Sequence, residues 1–209
     1  MNLELPKIYP ITDRQITNLS HAEQVKKLIE GGAQIIQLRE KYASPNDFYA
    51  DASEAIKIAR AANVKIIIND RVDIVLALKV AGVHLGQDDL SPIEARKILG
   101  ENALIGFSTH NLEQALNAVR LPIDYLAIGP VFATRTKENP DTTVGIEGLK
   151  KVRKAIGDFP LVAIGGINSA NFLEVLGAGA DSVAIIRDLL FEGDKITEKM
   201  KQLIEKKKT

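Results

Sequence analysis

Arg39 and Lys41 stand two residues apart in Gln37-Leu38-Arg39-Glu40-Lys41, directly behind the apolar run Ala33-Gln34-Ile35-Ile36. Three more polar clusters hold the same place behind an apolar run. Asn69-Asp70 follows Lys65-Ile66-Ile67-Ile68, and Gln87-Asp88-Asp89 follows Gly82-Val83-His84-Leu85-Gly86. Thr134-Arg135-Thr136-Lys137 follows Tyr125-Leu126-Ala127-Ile128-Gly129-Pro130-Val131. Cations, carboxylates and hydroxyls gathered in this way are the donor set of a magnesium-diphosphate site. Mg2+ takes one or two protein carboxylates and completes its shell with phosphate oxygens. Arg forks match phosphate geometry, and Lys adds a mobile point charge.

Each residue also has a plainer reading. Asp70 and Asp89 stand where an aspartate caps a following helix, and Asp88 competes with Asp89 for the role of second metal ligand. An Arg-Glu-Lys triplet is usually a salt-bridged surface. That reading weakens here, because strand alternation sends Arg39 inward if Gln37 points inward, and Leu38 outward. Gln37 and Asn69 carry donors and acceptors suited to a heterocycle edge or a phosphate.

Gly165-Gly166-Ile167-Asn168-Ser169 and Ile186-Arg187-Asp188 form a second feature. Glycine permits close approach of a backbone, and loop N–H groups beside a short helix start make a recurrent phosphate site. Thr134 and Thr136 add hydroxyls. Among the histidines, His21 lies at a helix start and is expected to be solvated. His84 falls mid-strand as a packed, hydrogen-bonded residue, and His110 ends a strand within reach of the site. Ser108 lacks a Ser-His-Asp partner set and reads as a hydrogen-bonding residue, not a nucleophile.

The elements that must position these groups recur along the chain. Short Ile- and Val-rich runs begin at Ile8, Ile35, Lys65, Gly82, Leu104, Tyr125, Leu161 and Ser182. Nearly continuous apolar runs indicate strands buried on both faces of a parallel sheet. Between them, Ser20-His21-Ala22-Glu23 and Ser91-Pro92-Ile93-Glu94 have the pattern of capping boxes, and Ser44-Pro45-Asn46-Asp47 also starts a helix. Gly31-Gly32, Gly82, Gly157 and Gly177 or Gly179 read as helix ends. Eight βα units predict a single-domain (β/α)8 TIM barrel over residues 1–209, with a short flexible basic tail over about 205–209. A doubly wound open sheet is disfavoured by the strand count and by the lack of G-x-G-x-x-G after the first strand. The active site of a barrel forms at the carboxyl ends of its strands, where the polar clusters fall.

Composition excludes several function classes. Lys+Arg and Asp+Glu are equal at 27 each, so no basic field favours nucleic acid or an anionic membrane. Cysteine is absent, which removes disulfides, a thiolate nucleophile and thiolate zinc sites. The first residues lack the apolar core of a signal peptide. No apolar stretch reaches the roughly 18 residues of a membrane span. A cytoplasmic protein acting on small molecules is expected, and a homo-oligomer is compatible with the sequence.

At these residues the chain resembles the thiamine-phosphate synthase (thiamine-phosphate pyrophosphorylase) family. The similarity runs in register through QLREK at 37–41, NDRVD at 69–73, GVHLGQDD at 82–89, GFSTH at 106–110, GPVFATRTK at 129–137 and AIGGI at 163–167. It implies condensation of hydroxymethylpyrimidine diphosphate with thiazole phosphate by a Mg2+-assisted dissociative route. By the same resemblance, Gln37, Arg39, Lys41, Asn69, Ser108 and Lys137 hold the pyrimidine diphosphate. Arg39, Lys41 and Lys137 stabilise the departing charge, and Asp70 and Asp89 bind Mg2+. Thr134, Thr136, Gly166 and the Ile186-Arg187 backbone contact the thiazole phosphate. Arg187 departs from the serine many relatives carry there. Two rival readings are a thiazole tautomerase using His110 and a non-catalytic phosphate-binding regulatory barrel. The complete diphosphate set favours the synthase over both. The 134–144 loop is the expected lid.

Overall fold

The computed structural model describes residues 4–134 and 142–207. Eight parallel strands close into a barrel in chain order: β1 (Ile8–Thr12), β2 (Ile35–Leu38), β3 (Lys65–Asn69), β4 (Gly82–Leu85), β5 (Leu104–Thr109), β6 (Tyr125–Ile128), β7 (Leu161–Ile164) and β8 (Ser182–Ile185). Strand β1 pairs with both β2 and β8, which completes the ring. The expected (β/α)8 barrel is therefore the fold, in a single domain.

Helices α1 (His21–Glu30), α2 (Pro45–Ala61), α3 (Val72–Leu78), α4 (Pro92–Leu99) and α5 (Leu112–Ala118) follow the first five strands. Helices α6 (Gly145–Ile156), α7 (Phe172–Gly177) and α8 (Arg187–Leu190) follow the last three, and α9 (Ile196–Lys206) closes the chain. The start signals act as their chemistry requires. Ser20 accepts from the Glu23 N–H while the Glu23 carboxylate accepts from the Ser20 N–H, a complete capping box. Ser44 and Ser91 accept from the third residue of their helices, each with proline in the first turn. Helix α9 continues through Lys206, further into the basic end than the expected tail boundary.

Alternation along the strands sorts side chains between two cores. Ile36, Leu38, Ile66, Ile68, Val83, Leu85, Ile105 and Leu126 join the large core beneath the helices. Tyr9, Ile11, Ile35, Ile67, Tyr125, Ala127, Val162 and Ala184 fill the barrel interior. The interior positions nearest the carboxyl ends differ around the ring. On β2 to β5 they are Gln37, Asn69, His84 and Ser108. On β6, β7, β8 and β1 they are Ala127, Ile164, Ala184 and Ile11. One half of the barrel mouth is polar and the other apolar, before any loop contributes.

Gly82 does not end a helix. Helix α3 ends at Leu78, with Lys79 taking the left-handed conformation, and Gly82 lies inside β4. Its reason is steric: a Cβ there would sit 1.9 Å from the Leu104 carbonyl oxygen on β5. Backbone atoms of a paired strand cannot yield as a side-chain tip does. Gly82→Ala is therefore expected to lower unfolding stability by about 2 kcal/mol or more. Urea unfolding measures this, and a change below about 0.5 kcal/mol would contradict such close β4–β5 contact.

Candidate active site

A cavity of about 910 Å³ opens at the carboxyl ends of the strands. Gln37, Arg39, Lys41, Asn69, Asp70 and Asp89 line one part of it, with Ser108 beside them. Thr134, Gly166, Ile186 and Arg187 line the rest. Thr136 and Lys137 lie outside the described residues, as does much of the expected 134–144 lid.

The two carboxylates are held by different devices. Asp70 follows β3 directly and adopts φ +63°, a left-handed conformation that aspartate tolerates better than most residues. Its N–H donates to the His84 carbonyl (2.8 Å), and the Arg71 N–H donates to the Asn69 carbonyl (2.8 Å), so the turn is pinned on both sides. Asp89 accepts the Gly86 N–H at 2.7 Å. Neither carboxylate caps a helix. Arg71 precedes α3 without a side-chain capping bond, and Ser91 caps α4. Burial raises the Asp70 pKa and the Asp89 carboxyl adds to the rise, while contact with Lys41 opposes both. Asp89, rather than the exposed Asp88, is thus the electrostatic partner of Asp70.

Two carboxylates converging beside a lysine in an open cavity fit Mg2+, which needs few protein ligands and shares its shell with phosphate. Among the described residues no cluster of three acidic or histidine side chains offers a dedicated metal cage. The donor set therefore fits a cation brought or completed by an anionic substrate.

The cations already have partners. Arg39 contacts Asp13 through one terminal nitrogen, which leaves other donors of the fork for an anion. Asp13, buried at the end of β1, is itself fixed by Gln24 and by the Gln15 N–H. Lys41 contacts Asp70. Between them Glu40 turns away from the cavity and accepts the N–H groups of Tyr42 (2.9 Å) and Ala43 (3.1 Å). Burial raises the Glu40 pKa, but these donors and His21 outweigh it and hold the carboxyl below its ordinary value.

His21 is not solvated. It is fully buried at the start of α1, its Nδ1 2.7 Å from Thr12 Oγ1 and its Nε2 3.4 Å from Glu40. Burial lowers its pKa against the pull of Asp51 and Glu40. Its position in a first helical turn suggested water, but the barrel packs that turn against β1 and β2.

On the opposite side, Gly165 and Gly166 take φ +99° and +65°. A Cβ on either would run into the 130–133 segment, at 2.4 Å from Pro130 Cβ and 2.6 Å from the Ala133 carbonyl oxygen. The glycines are thus needed first to seat one loop against the other. Arg187 is exposed and lies over the Phe191 ring at 5.0 Å, while Asp188 accepts the Ser169 N–H. The guanidinium is paired with a ring, not with Asp188.

Residues 8–189 match the family description thiamine monophosphate synthase. A thiamine-phosphate synthase from Clostridium novyi is 46% identical over 90% of this chain and 92% of its own length. One from Chloroflexus aurantiacus is 42% identical, covering 94% of this chain and 90% of that protein. The chain belongs to the thiamine monophosphate synthase family. The solved structure of a thiamine phosphate pyrophosphorylase from Pyrococcus furiosus superposes with a TM-score of 0.86. That structure is 36% identical and spans 95% of this chain and 94% of its own. Family membership makes the chain a transferase of thiamine biosynthesis. Among the described residues, no helix is long and apolar enough to cross a membrane.

Sequence reasoning missed two residues here. Asp13 holds Arg39 from behind and follows a strand directly, the same signal that marked Asp70. Lys199 reaches the cavity from α9, and nothing in its spacing marks it. His84 is the packed, hydrogen-bonded residue expected, and it also lines the cavity.

Burial pulls the His84 pKa down to about 4, against the raising effect of Asp89. Above pH 6.5 neither folded nor unfolded chain binds this proton. Between 6.5 and about 4 only the unfolded chain does, so stability falls as pH falls. The full effect amounts to about 3 kcal/mol, and His21 acts in the same direction. Unfolding of the wild type and of His84→Asn from pH 7 to 4 should show a shallower slope in the variant. Parallel slopes would mean that His84 is protonated in the fold.

Proposed function

We propose that this protein condenses hydroxymethylpyrimidine diphosphate with thiazole phosphate, forming thiamine phosphate and releasing diphosphate, or with its carboxylated tautomer, in which case CO2 is lost as well. The observation that carries this reading is the convergence of Asp70 and Asp89 with Arg39 and Lys41 on one rim of the cavity. A leaving diphosphate needs such a set, whereas isomerising a thiazole does not. The family's shared name supports the same product.

In the proposed reaction the bond between the pyrimidine methylene carbon and diphosphate oxygen breaks, and both electrons leave with the diphosphate. The thiazole nitrogen then gives its lone pair to the methylene cation. No protein nucleophile is required, in keeping with the lack of a Ser-His-Asp set among the described residues: His84, beside Ser108, has Tyr125 and no carboxylate on its other nitrogen. Bound Mg2+ supplies charge neutralisation on the diphosphate. Arg39 and Lys41 exchange their contacts with Asp13 and Asp70 for diphosphate oxygens, so the charge developing on the leaving group meets donors already in place. Lys137 adds a third cation. Gln37, Asn69 and Ser108 orient the pyrimidine diphosphate, which keeps the methylene facing the second substrate. Gly166 and the Ile186-Arg187 backbone receive the thiazole phosphate, with Thr134 and Thr136, across the apolar half of the mouth. The protein works in the cytoplasm on small molecules.

Purified protein supplied with both substrates should form thiamine phosphate only when Mg2+ is present. Asp89→Asn should reduce kcat by about 100-fold or more while thiazole phosphate still binds with unchanged affinity. Equal kinetics for wild type and variant at saturating Mg2+ would remove Asp89 from the site. A folded protein that binds thiazole phosphate without turnover would favour the regulatory reading.

A further inference from the structure

Five side chains form an unbroken polar line across the otherwise apolar barrel interior. Gln37 Nε2 donates to Tyr9 Oη (3.4 Å), and Tyr9 Oη meets Tyr125 Oη at 3.0 Å. Tyr125 Oη lies 3.0 Å from His84 Nδ1, and His84 Nε2 lies 2.8 Å from Ser108 Oγ. Gln37 and Ser108 line the cavity, on β2 and β5. Tyr9 and Tyr125 are at most 1% exposed and so meet water nowhere. The line joins two proposed substrate contacts through the protein rather than through the cavity.

Such a line costs folding free energy unless every member is satisfied. The chain also yields space for it: a Cβ at Gly106 would lie 2.0 Å from Tyr125 Cζ and 2.4 Å from its hydroxyl oxygen. The two phenols resist ionisation, with Tyr9 pushed up to about 12 by burial, so each hydroxyl carries one proton to give. A neutral imidazole has one donor and one acceptor nitrogen. The orientation of the Gln37 amide then sets the direction. With Gln37 donating to Tyr9, the Tyr9 proton has Tyr125 as its acceptor among the described residues. The Tyr125 proton must then go to His84 Nδ1, and His84 Nε2–H to Ser108 Oγ. Running the middle of the line backwards would strand the Tyr9 proton in the apolar interior.

We propose that Tyr9, Tyr125 and His84 are positioning residues that form a one-way hydrogen-bond relay from Gln37, leaving the Ser108 hydroxyl proton to be donated towards the cavity. With one lone pair taken by His84 Nε2–H, the Ser108 hydroxyl keeps its own proton for the ligand. Its complement is a hydrogen-bond acceptor, a ring nitrogen or a diphosphate oxygen. The same relay couples the two ends. A Gln37 amide with its nitrogen turned to Tyr9 keeps its carbonyl oxygen as an acceptor for a ligand in the cavity it lines. A ligand offering one donor and one acceptor, as an aminopyrimidine edge does, matches both ends together. A ligand of the reverse pattern would have to reverse all five groups. Use of the relay on a pyrimidine diphosphate rests on the proposed function, whereas its direction does not.

The direction is read without turnover by nitrogen-15 NMR of the His84 imidazole at neutral pH. The expected result is the Nε2–H tautomer, and the Nδ1–H tautomer would overturn the proposal. The positioning role is read by a double-mutant cycle. Tyr125→Phe should lower kcat/KM for pyrimidine diphosphate about tenfold with thiazole phosphate affinity unchanged. The double variant with Ser108→Ala should fall within about twofold of Ser108→Ala alone. Additive losses would mean that Tyr125 acts only through general packing, and would overturn the role. If Tyr125→Phe does not fold, Tyr9→Phe interrupts the same line nearer Gln37 and is combined with Gln37→Ala under the same criterion. A wild type that makes no thiamine phosphate would defeat the proposed function, while the tautomer would still decide the relay.

Discussion

A strand in a closed barrel has no free edge, and its alternate side chains must enter the same narrow interior. That constraint governs everything at the mouth of this one. Inward positions low in the barrel can be satisfied by Ile35, Ile67 and Val162 packing on one another. The last inward positions meet the cavity, and on β2 to β5 they are Gln37, Asn69, His84 and Ser108. Beyond the strand ends come Arg39, which keeps the inward parity of Gln37, and Asp70 and Asp89, which the turns after β3 and β4 bring back to the rim. Closure gathers the strand ends, and the loops then aim these groups.

Electrostatics then decides what the rim can do. Two carboxylates in contact oppose each other's ionisation, and an arrangement chosen for stability alone would separate them. Here the turn at Asp70 is held in a left-handed conformation by two backbone hydrogen bonds, and its carboxyl lies within electrostatic reach of Asp89. Lys41 relieves part of the repulsion, and Asp13 holds Arg39 ready. Arg39 and Lys41 therefore each wait on a carboxylate. In the proposed reaction an incoming metal-diphosphate would exchange these internal pairs for its own, so little reorganisation would remain for the moment the leaving group departs. Glu40 and His21 do the quieter work of fixing the segment between the two cations from behind.

The strands were legible in the sequence to within two residues, because a strand buried on both faces is a nearly continuous apolar run. The rim was legible for the same reason: polar residues directly behind such runs stand out. Legibility ended where the cause was tertiary. Gly82 read as a helix end because glycine commonly ends helices, whereas its reason is the carbonyl of Leu104 on a neighbouring strand. His21 read as solvated because the packing of α1 on β1 and β2 leaves no local mark. Asp88 and Asp89 were indistinguishable as adjacent residues, and only the fold separates them, by setting Asp89 to act on Asp70 and leaving Asp88 exposed. The Tyr9 and Tyr125 hydroxyls were hidden among apolar neighbours 116 residues apart in the chain.

The central claim is that the rim built on Asp70, Asp89, Arg39 and Lys41 is a site for diphosphate together with a divalent cation. Calorimetric titration with inorganic diphosphate, with and without Mg2+, tests it without requiring turnover. Mg2+ should tighten binding by about tenfold or more, and Asp70→Asn should abolish that gain while the protein stays folded. Diphosphate binding of equal strength with and without Mg2+ would contradict the account.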